Sequence, residues 1–180
     1  MNSSATPLVT CVMPTRDRPA LAALAIRCFQ RQDFPSKELI VLDDSRRPLD
    51  PALVADPRIR YIRLREPATI GAKREQGCRE ARGNIVMQWD DDDWHGPGRI
   101  RRQVQPLLTG EADITGFSHS LVLDMARWEF WAPSDETFRR ISFAGVICGT
   151  LAYRRVVTRQ FTQYPRVSLG EDVGFLRPAL

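Results

Sequence analysis

The stretch IVMQWDDDDWHGPGRI, Ile85 to Ile100, decides how the rest of the chain is read. An apolar run, Asn84 to Trp89, ends directly in four consecutive aspartates, Asp90 to Asp93, and a second tryptophan, Trp94. Two unit charges about 4 Å apart repel by roughly 4 kcal/mol at an effective dielectric of 20. Such a run therefore needs solvent, protonation or a cation. The apolar part has the length and composition of a buried strand, and the residues after Gly98 read as a helix. The acidic run thus sits where a strand hands over to a helix.

Working outward, the same punctuation recurs. LVTCVM, Leu8 to Met13, reads as a strand closed by PTRDRP. Ala20 to Gln32 has helical apolar spacing after Pro19. Lys37 to Ser45, KELIVLDDS, is a second apolar strand that ends in Asp43 and Asp44. IRYIRL, Ile59 to Leu64, alternates as a strand with one wet face. Ile70 to Gly83 reads as a helix with Gly83 as terminator. RIRRQVQPLL, beginning at Arg99, reads as a helix kinked or broken near Pro106. The order strand, helix, strand, strand, helix, strand predicts an α/β fold, a Rossmann-like, mostly parallel sheet flanked by helices. Beyond about residue 110 the runs are short and aromatic with no clear helix, which predicts a mixed or antiparallel extension. Ile141 to Arg155 reads as strand or loop with a turn at Gly149.

In open α/β sheets, ligands bind outside the carboxyl ends of the strands. Asp43–Asp44, Asp90–Asp93 and the loop after the first strand all fall there. In an extended segment Asp90 and Asp92 would face one way and Asp91 and Asp93 the other. One pair could then hold a cation, since Mg2+ and Mn2+ prefer carboxylate oxygens and phosphates. Each cluster also has a plain structural reading. The aspartate run could be a solvated loop or pair with a helix macrodipole, and Asp43–Asp44 could close a turn. Glu171–Asp172 could cap a short helix. For His95 and His119, the only histidines, surface hydrogen bonding is the expectation; Trp89 is expected in the core.

At 180 residues with 43% hydrophobic content, the chain fits one domain with a real core, and 27% charged residues argue against global disorder. A net charge of +4, nearly all from arginine, admits a phosphorylated partner. No aromatic-basic platform points to nucleic acid, which is excluded as a partner. The four cysteines, Cys11, Cys28, Cys78 and Cys148, form no close pair and suit a reducing cytosol. MNSSATPLVTCVM shows no signal-peptide pattern, and no window is long enough for an integral membrane span.

Together, VTCVMPTRDRP, ELIVLDDS, IGAKREQG, GNIVMQWDDDDW, CGTLAYRR and LGEDVGF resemble, in order, the motifs of a family 2 glycosyltransferase with the A-type fold. They span Val9 to Phe175. The resemblance implies an inverting, non-processive hexosyl- or other glycosyltransferase. It would use a nucleotide-diphosphate sugar donor, a divalent metal (Mn2+ or Mg2+) and a glycan, lipid-linked or protein acceptor. It implies a cytoplasmic protein, or one peripheral to the membrane. It makes residues 1–180 a single domain, 1–109 the nucleotide-sugar-binding half and 110–180 the acceptor-side half. By position, Pro14, Thr15, Arg18, Asp43, Asp44, Arg74, Asp90 and Asp91 match the donor side. Asp92, with Asp90 and Asp93, matches the metal-binding aspartates, and Asp90 lies nearer the ribose. Gly149, Thr150 and Trp94 match the acceptor side. Asp172 matches the catalytic base, with Glu171 beside it. Departures are Glu75 for Asn, Cys148 for a glycine and Gly174 for a polar residue; the processive Q-x-x-R-W motif is absent. Competing readings are a nucleotidyltransferase, whose glycine-rich loop is missing here, and a non-catalytic relative that binds a nucleotide sugar or a protein.

Overall fold

The computed structural model describes residues 6–180, so Met1 to Ala5 of the segment read for a signal peptide lie outside the described residues. The first half folds as strand β1 (Val9–Thr15), helix α1 (Pro19–Gln30), β2 (Lys37–Asp43), β3 (Ile59–Arg63), α2 (Ile70–Glu80), β4 (Ile85–Gln88) and α3 (Arg99–Thr109). The second half adds β5 (Ile114–Thr115), β6 (Val122–Asp124), β7 (Glu129–Trp131), α4 (Asp135–Ile141), β8 (Ala152–Arg154), α5 (Val156–Gln160) and α6 (Glu171–Leu176). One sheet runs β3-β2-β1-β4-β8-β5; β6 and β7 form a separate hairpin. β3, β2, β1 and β4 are parallel, and β8 pairs antiparallel with both β4 and β5. The sheet is therefore mostly parallel, with the antiparallel extension expected of the second half.

Burial explains this order. Every residue of β1 and β2 is buried, as in a parallel sheet covered on both faces. β3 lies at the edge and is only partly covered. On one face, Ala22, Ala25, Ile26 and Phe29 of α1 pack with Met13, Met87 and Trp89; on the other, Val12, Ile40, Val86 and Leu151 pack with Phe175. Trp89 is fully buried, meets Phe29 edge-on at 6.1 Å and donates Nε1–H to the Ala25 carbonyl at 3.0 Å. Burying such a side chain contributes roughly 1.5–3 kcal/mol, and it anchors the chain where the aspartates begin.

Four local expectations are corrected. α2 ends at Glu80, capped by Ala81, and the Gly83 N–H instead donates to Thr10 Oγ1 at 2.9 Å. α3 is not broken at Pro106 but continues to Thr109; the carbonyl the proline leaves unpaired belongs to exposed Arg102, where water can serve. α4 forms where no helix was expected. Ser134 caps it by accepting from Thr137 N–H at 3.2 Å, with acids in the first turn and Arg139 and Arg140 in the last. None of its residues is buried, so it carries no apolar periodicity to read. His95 is not a surface group: it is buried, 4.4 Å from the Trp89 ring and bonded to Arg99. Among the described residues, no helix is long and apolar enough to cross a membrane.

Candidate active site

The carboxyl ends of β1 and β4 and the amino ends of α2 and α6 enclose a cavity of about 560 Å³. Its walls include Pro14, Thr15, Arg18, Arg74, Asp90, Asp91, Asp92, Glu171 and Asp172. Segments 156 residues apart in sequence, Thr15 and Glu171, thus share one wall because β1 is central and α6 packs beside α2.

The aspartates do not alternate as an extended segment would, because the chain turns at Asp91–Asp92. Asp91 and Asp92 both bind Arg18, whose two terminal nitrogens lie 2.6 Å from Asp91 Oδ1 and 2.6 Å from Asp92 Oδ2. Asp91 also accepts from Thr15 Oγ1 at 2.6 Å. Burial raises the Asp91 carboxyl, and Thr15 and Arg18 only partly offset this. Asp93 is pushed up to about 6, by burial first and by Asp90 next. Beneath the run, Arg99 bonds His95, Gln103 Oε1 (3.0 Å) and the Gln88 carbonyl (2.8 Å). Burial and the Arg99 charge press His95 down to about 2, so its ring is neutral and accepts from Arg99.

α2 turns a charged face inward: Gly71, Lys73, Arg74, Gly77 and Cys78 are its buried residues. Arg74 donates to Asp90 Oδ1 at 2.9 Å, and its Nε lies 3.3 Å from Glu171 Oε1 and 3.4 Å from Asp172 Oδ1. Burial alone would lower this guanidinium; Asp90, Asp172 and Glu171 together hold it above its ordinary value. Its remaining nitrogen, NH1, is buried without a partner among the described residues. Burial pushes Asp172 up to about 6, with Arg74 opposing and Glu171 and Asp90 adding to the rise. A carboxylic acid so placed is poised to exchange a proton near neutral pH.

The other candidates fall around this cavity. Lys73 ion-pairs with Asp44 and donates to the Thr15 carbonyl at 2.9 Å. Burial would raise Asp44, but Lys73 and the Ala68 N–H outweigh it and hold the carboxyl below its ordinary value. Asp43 is fully buried and accepts from Tyr61 Oη (2.6 Å) and Ser45 N–H (2.7 Å), outside the cavity wall. A Cβ on Gly149 would sit 2.9 Å from Asp90 Oδ2, so that turn touches the acidic run directly. Thr150 is buried, its hydroxyl bonded to the Ile147 carbonyl and Phe117 N–H. Trp94 is 72% exposed and stands outside the wall. The departures have local reasons: Glu75 accepts from Tyr164 N–H at 3.2 Å, and a side chain at Gly174 would strike Pro165 at 2.7 Å. Cys148 is partly buried in the turn before β8.

Sequence reasoning overlooked Lys73, Arg16, the Ser168–Gly170 wall and Gln88. Lys73 and Gln88 did carry a signal, each being a polar residue on a face that burial required to be apolar. Leu169 and Gly170 fell in the LGEDVGF motif without being named as site residues, and nothing local marks Ser168.

Among the described residues, no three acidic, His or Cys side chains cluster to cage an ion. Among the described residues, Asp90 Oδ2 and Asp92 Oδ1 accept no hydrogen bond, and both residues line the cavity. Two hard oxygen donors fit a divalent ion that completes its shell with phosphate and water.

Residues 10–165 match the sequence family described as Glycosyl transferase family 2. The chain is 37% identical over 99 residues to a protein of Escherichia coli (strain K12) named "Putative colanic acid biosynthesis glycosyl transferase WcaA". That match covers 52% of this chain and only 36% of the relative. The fold is similar to S. aureus TarS, with a TM-score of 0.72 at 17% identity over 92% of this chain and 32% of that one. It is also similar to the mannosyltransferase PcManGT from Pyrobaculum calidifontis, solved in complex with GDP-Man and Mn2+. There the TM-score is 0.69 at 18% identity, over 96% of this chain and 54% of that one. A match that runs from β1 nearly to α6, over an A-type sheet, leaves one conclusion: the chain belongs to glycosyl transferase family 2.

Proposed function

We propose that this chain transfers a sugar from a nucleotide-diphosphate sugar to an acceptor hydroxyl, in single steps and with inversion at the anomeric carbon. The observation that carries the proposal is the convergence of Asp90, Asp92, Arg74 and Asp172 on one cavity, with Asp172 raised to about 6. Residues 1–109 form the donor side, where Thr15 and Arg18 orient the aspartate run and Lys73 holds Asp44 against the β1 loop. Residues 110–180 form the acceptor side, walled by the Gly149 turn and α6.

In the transfer, Asp172 accepts the proton of the acceptor hydroxyl. The hydroxyl oxygen bonds to the anomeric carbon as the bond to the diphosphate oxygen breaks, and the diphosphate leaves with that electron pair. Attack opposite the leaving group inverts the carbon. A positioned base of this kind supplies about 10²–10⁴-fold. Arg74 NH1, buried and without a partner among the described residues, is a donor for the charge developing on the diphosphate. Asp92 and Asp90 would hold a divalent ion, which when bound supplies Lewis-acid stabilisation of the leaving group. The similarly folded mannosyltransferase, solved with GDP-Man and Mn2+, supports a nucleotide-sugar donor and metal use.

The test is a panel of UDP-, GDP- and dTDP-sugars with Mn2+ or Mg2+. Asp172→Asn should abolish transfer while calorimetry still registers donor binding. Turnover at the wild-type rate in that variant rules out Asp172 as the base.

A further inference from the structure

Gln88 is a polar residue in the middle of an apolar strand. It is 1% exposed, and β4 otherwise presents Ile85, Val86 and Met87 to the two cores. Burying an amide there is costly unless every polar atom is satisfied, and here each one is. Oε1 accepts from the Leu151 N–H at 3.2 Å. Nε2 donates to Tyr164 Oη at 2.8 Å and to Asp172 Oδ1 at 2.7 Å. A backbone N–H can only donate, so Leu151 fixes which end of the amide is oxygen. Both Nε2 protons are then committed, and the side chain has no second orientation.

We infer that Gln88 is a positioning residue: it pins Asp172 Oδ1 and so leaves Oδ2 as the oxygen that receives the acceptor's proton. The inference rests on the proposed role of Asp172 as the base. Gln88 and Arg74 Nε, 3.4 Å away, converge on the same oxygen, Oδ1. Oδ2 has no partner among the described residues, and Asp172 lines the cavity. The backbone of Gln88 is bonded at both its polar groups. Its N–H donates to the Leu151 carbonyl at 2.8 Å, and its carbonyl accepts from Arg99 at 2.8 Å. The grip on α6 is double, because Tyr164, Gln88's other acceptor, stacks on Phe175 at 4.3 Å. Tyr164 in turn bonds Tyr153 Oη (3.1 Å), which bonds Cys78 Sγ (3.3 Å) on α2. The base is thus held relative to β4, β8 and α2 together.

The groups facing Asp172 are Arg74 from α2, Glu171 from its own helix, Asp90 from the loop after β4, Tyr164, and Cys148 from the turn before β8. The Gln88 bond favours the ionised carboxylate against burial. Gln88→Met keeps chain length and removes both donors. Gln88→Glu also keeps chain length and an acceptor for Leu151, and sets a second carboxyl against Asp172 in place of the donor. Tyr164→Phe cuts Gln88's other bond and leaves the one to Asp172.

The carboxyl carbon of Asp172, assigned by its loss in Asp172→Asn, is followed by NMR against pH. Its midpoint should rise by about one pH unit in Gln88→Met and further in Gln88→Glu. With whichever nucleotide sugar turns over in the panel, kcat should fall about 100-fold with the donor KM little changed. Tyr164→Phe should move both readouts far less. An unmoved midpoint in both Gln88 variants overturns the inference, as does a Tyr164→Phe effect equal to that of Gln88→Met. If the wild-type protein turns over no donor, the proposed function fails, and the NMR titration still decides whether Gln88 holds Asp172.

Discussion

Asp172→Asn should do more than remove the proposed base: it should stabilise the fold in a pH-dependent way. Burial pushes the Asp172 carboxyl from its ordinary 3.8 to about 6. Below pH 3.8 the group is protonated in both the folded and the unfolded chain. As pH rises towards 6, the folded chain keeps a proton that the unfolded chain has released, and stability is lost. Above about pH 6 the loss is complete. A displacement of about two units at 1.36 kcal/mol each gives about 3 kcal/mol. Asn has the shape of the protonated acid and does not titrate, so the variant escapes this loss. The stability gap between variant and wild type should therefore widen by about 3 kcal/mol between about pH 4 and about pH 8. For a chain of this size that is a widening of about 6–12 °C in Tm. Asp93 is raised to about 6 as well, but it is common to both proteins and cancels in the difference. The assay is urea or thermal unfolding of both proteins across that range. A gap that stays constant with pH would show that Asp172 titrates as it does in water, and the case for a poised base would fail.

The remaining predictions follow from the same geometry. Turnover should rise with pH along a limb whose midpoint lies near about 6, as Asp172 loses its proton; a rate flat from about pH 5 to about pH 8 contradicts this. Asp92→Ala should lose metal-dependent donor binding in calorimetry, and unchanged binding removes Asp92 from the metal site. Gly149→Ala brings a methyl to 2.9 Å from Asp90 Oδ2 and should weaken donor binding in Mn2+ by about tenfold with little change in Tm. Lys73→Met leaves Asp44 buried without its cation and should cost about 3–5 kcal/mol in chemical denaturation.

Much of the first half was legible because its elements are local. β1, β2 and β4 are continuous apolar runs bounded by polar turns, and α1 has Pro19 at its start and helical apolar spacing. The errors arose where the deciding contact was not local or where no face is buried. Gly83 was read as a helix terminator, yet it serves β1 through Thr10. α4 buries nothing, so only its capping residues could have revealed it. His95 was read as a surface group because a histidine beside four aspartates looks hydrated, while Trp89 and Arg99 draw it inside.

Sequence alone determined that acidic clusters lie at strand ends, because hydrophobic period and turn residues act over a few positions, and resemblance supplied the family motifs they follow. It also brought Asp172 forward as a candidate, through the order of the motifs. Only the tertiary structure decided what each aspartate contacts. The turn at Asp91 gives two carboxylates to Arg18 and leaves Asp90 to Arg74. Packing α6 beside α2 places Asp172 within 3.4 Å of Arg74, and buries it enough to raise its carboxyl to about 6. Gln88 lies 84 residues from Asp172, and no local pattern links them. Their hydrogen bond exists because the sheet sets β4 beside β8, and Tyr164 and Phe175 hold α6 over that junction. Charge and burial at a site depend on neighbours in space, and spacing along the chain does not record them.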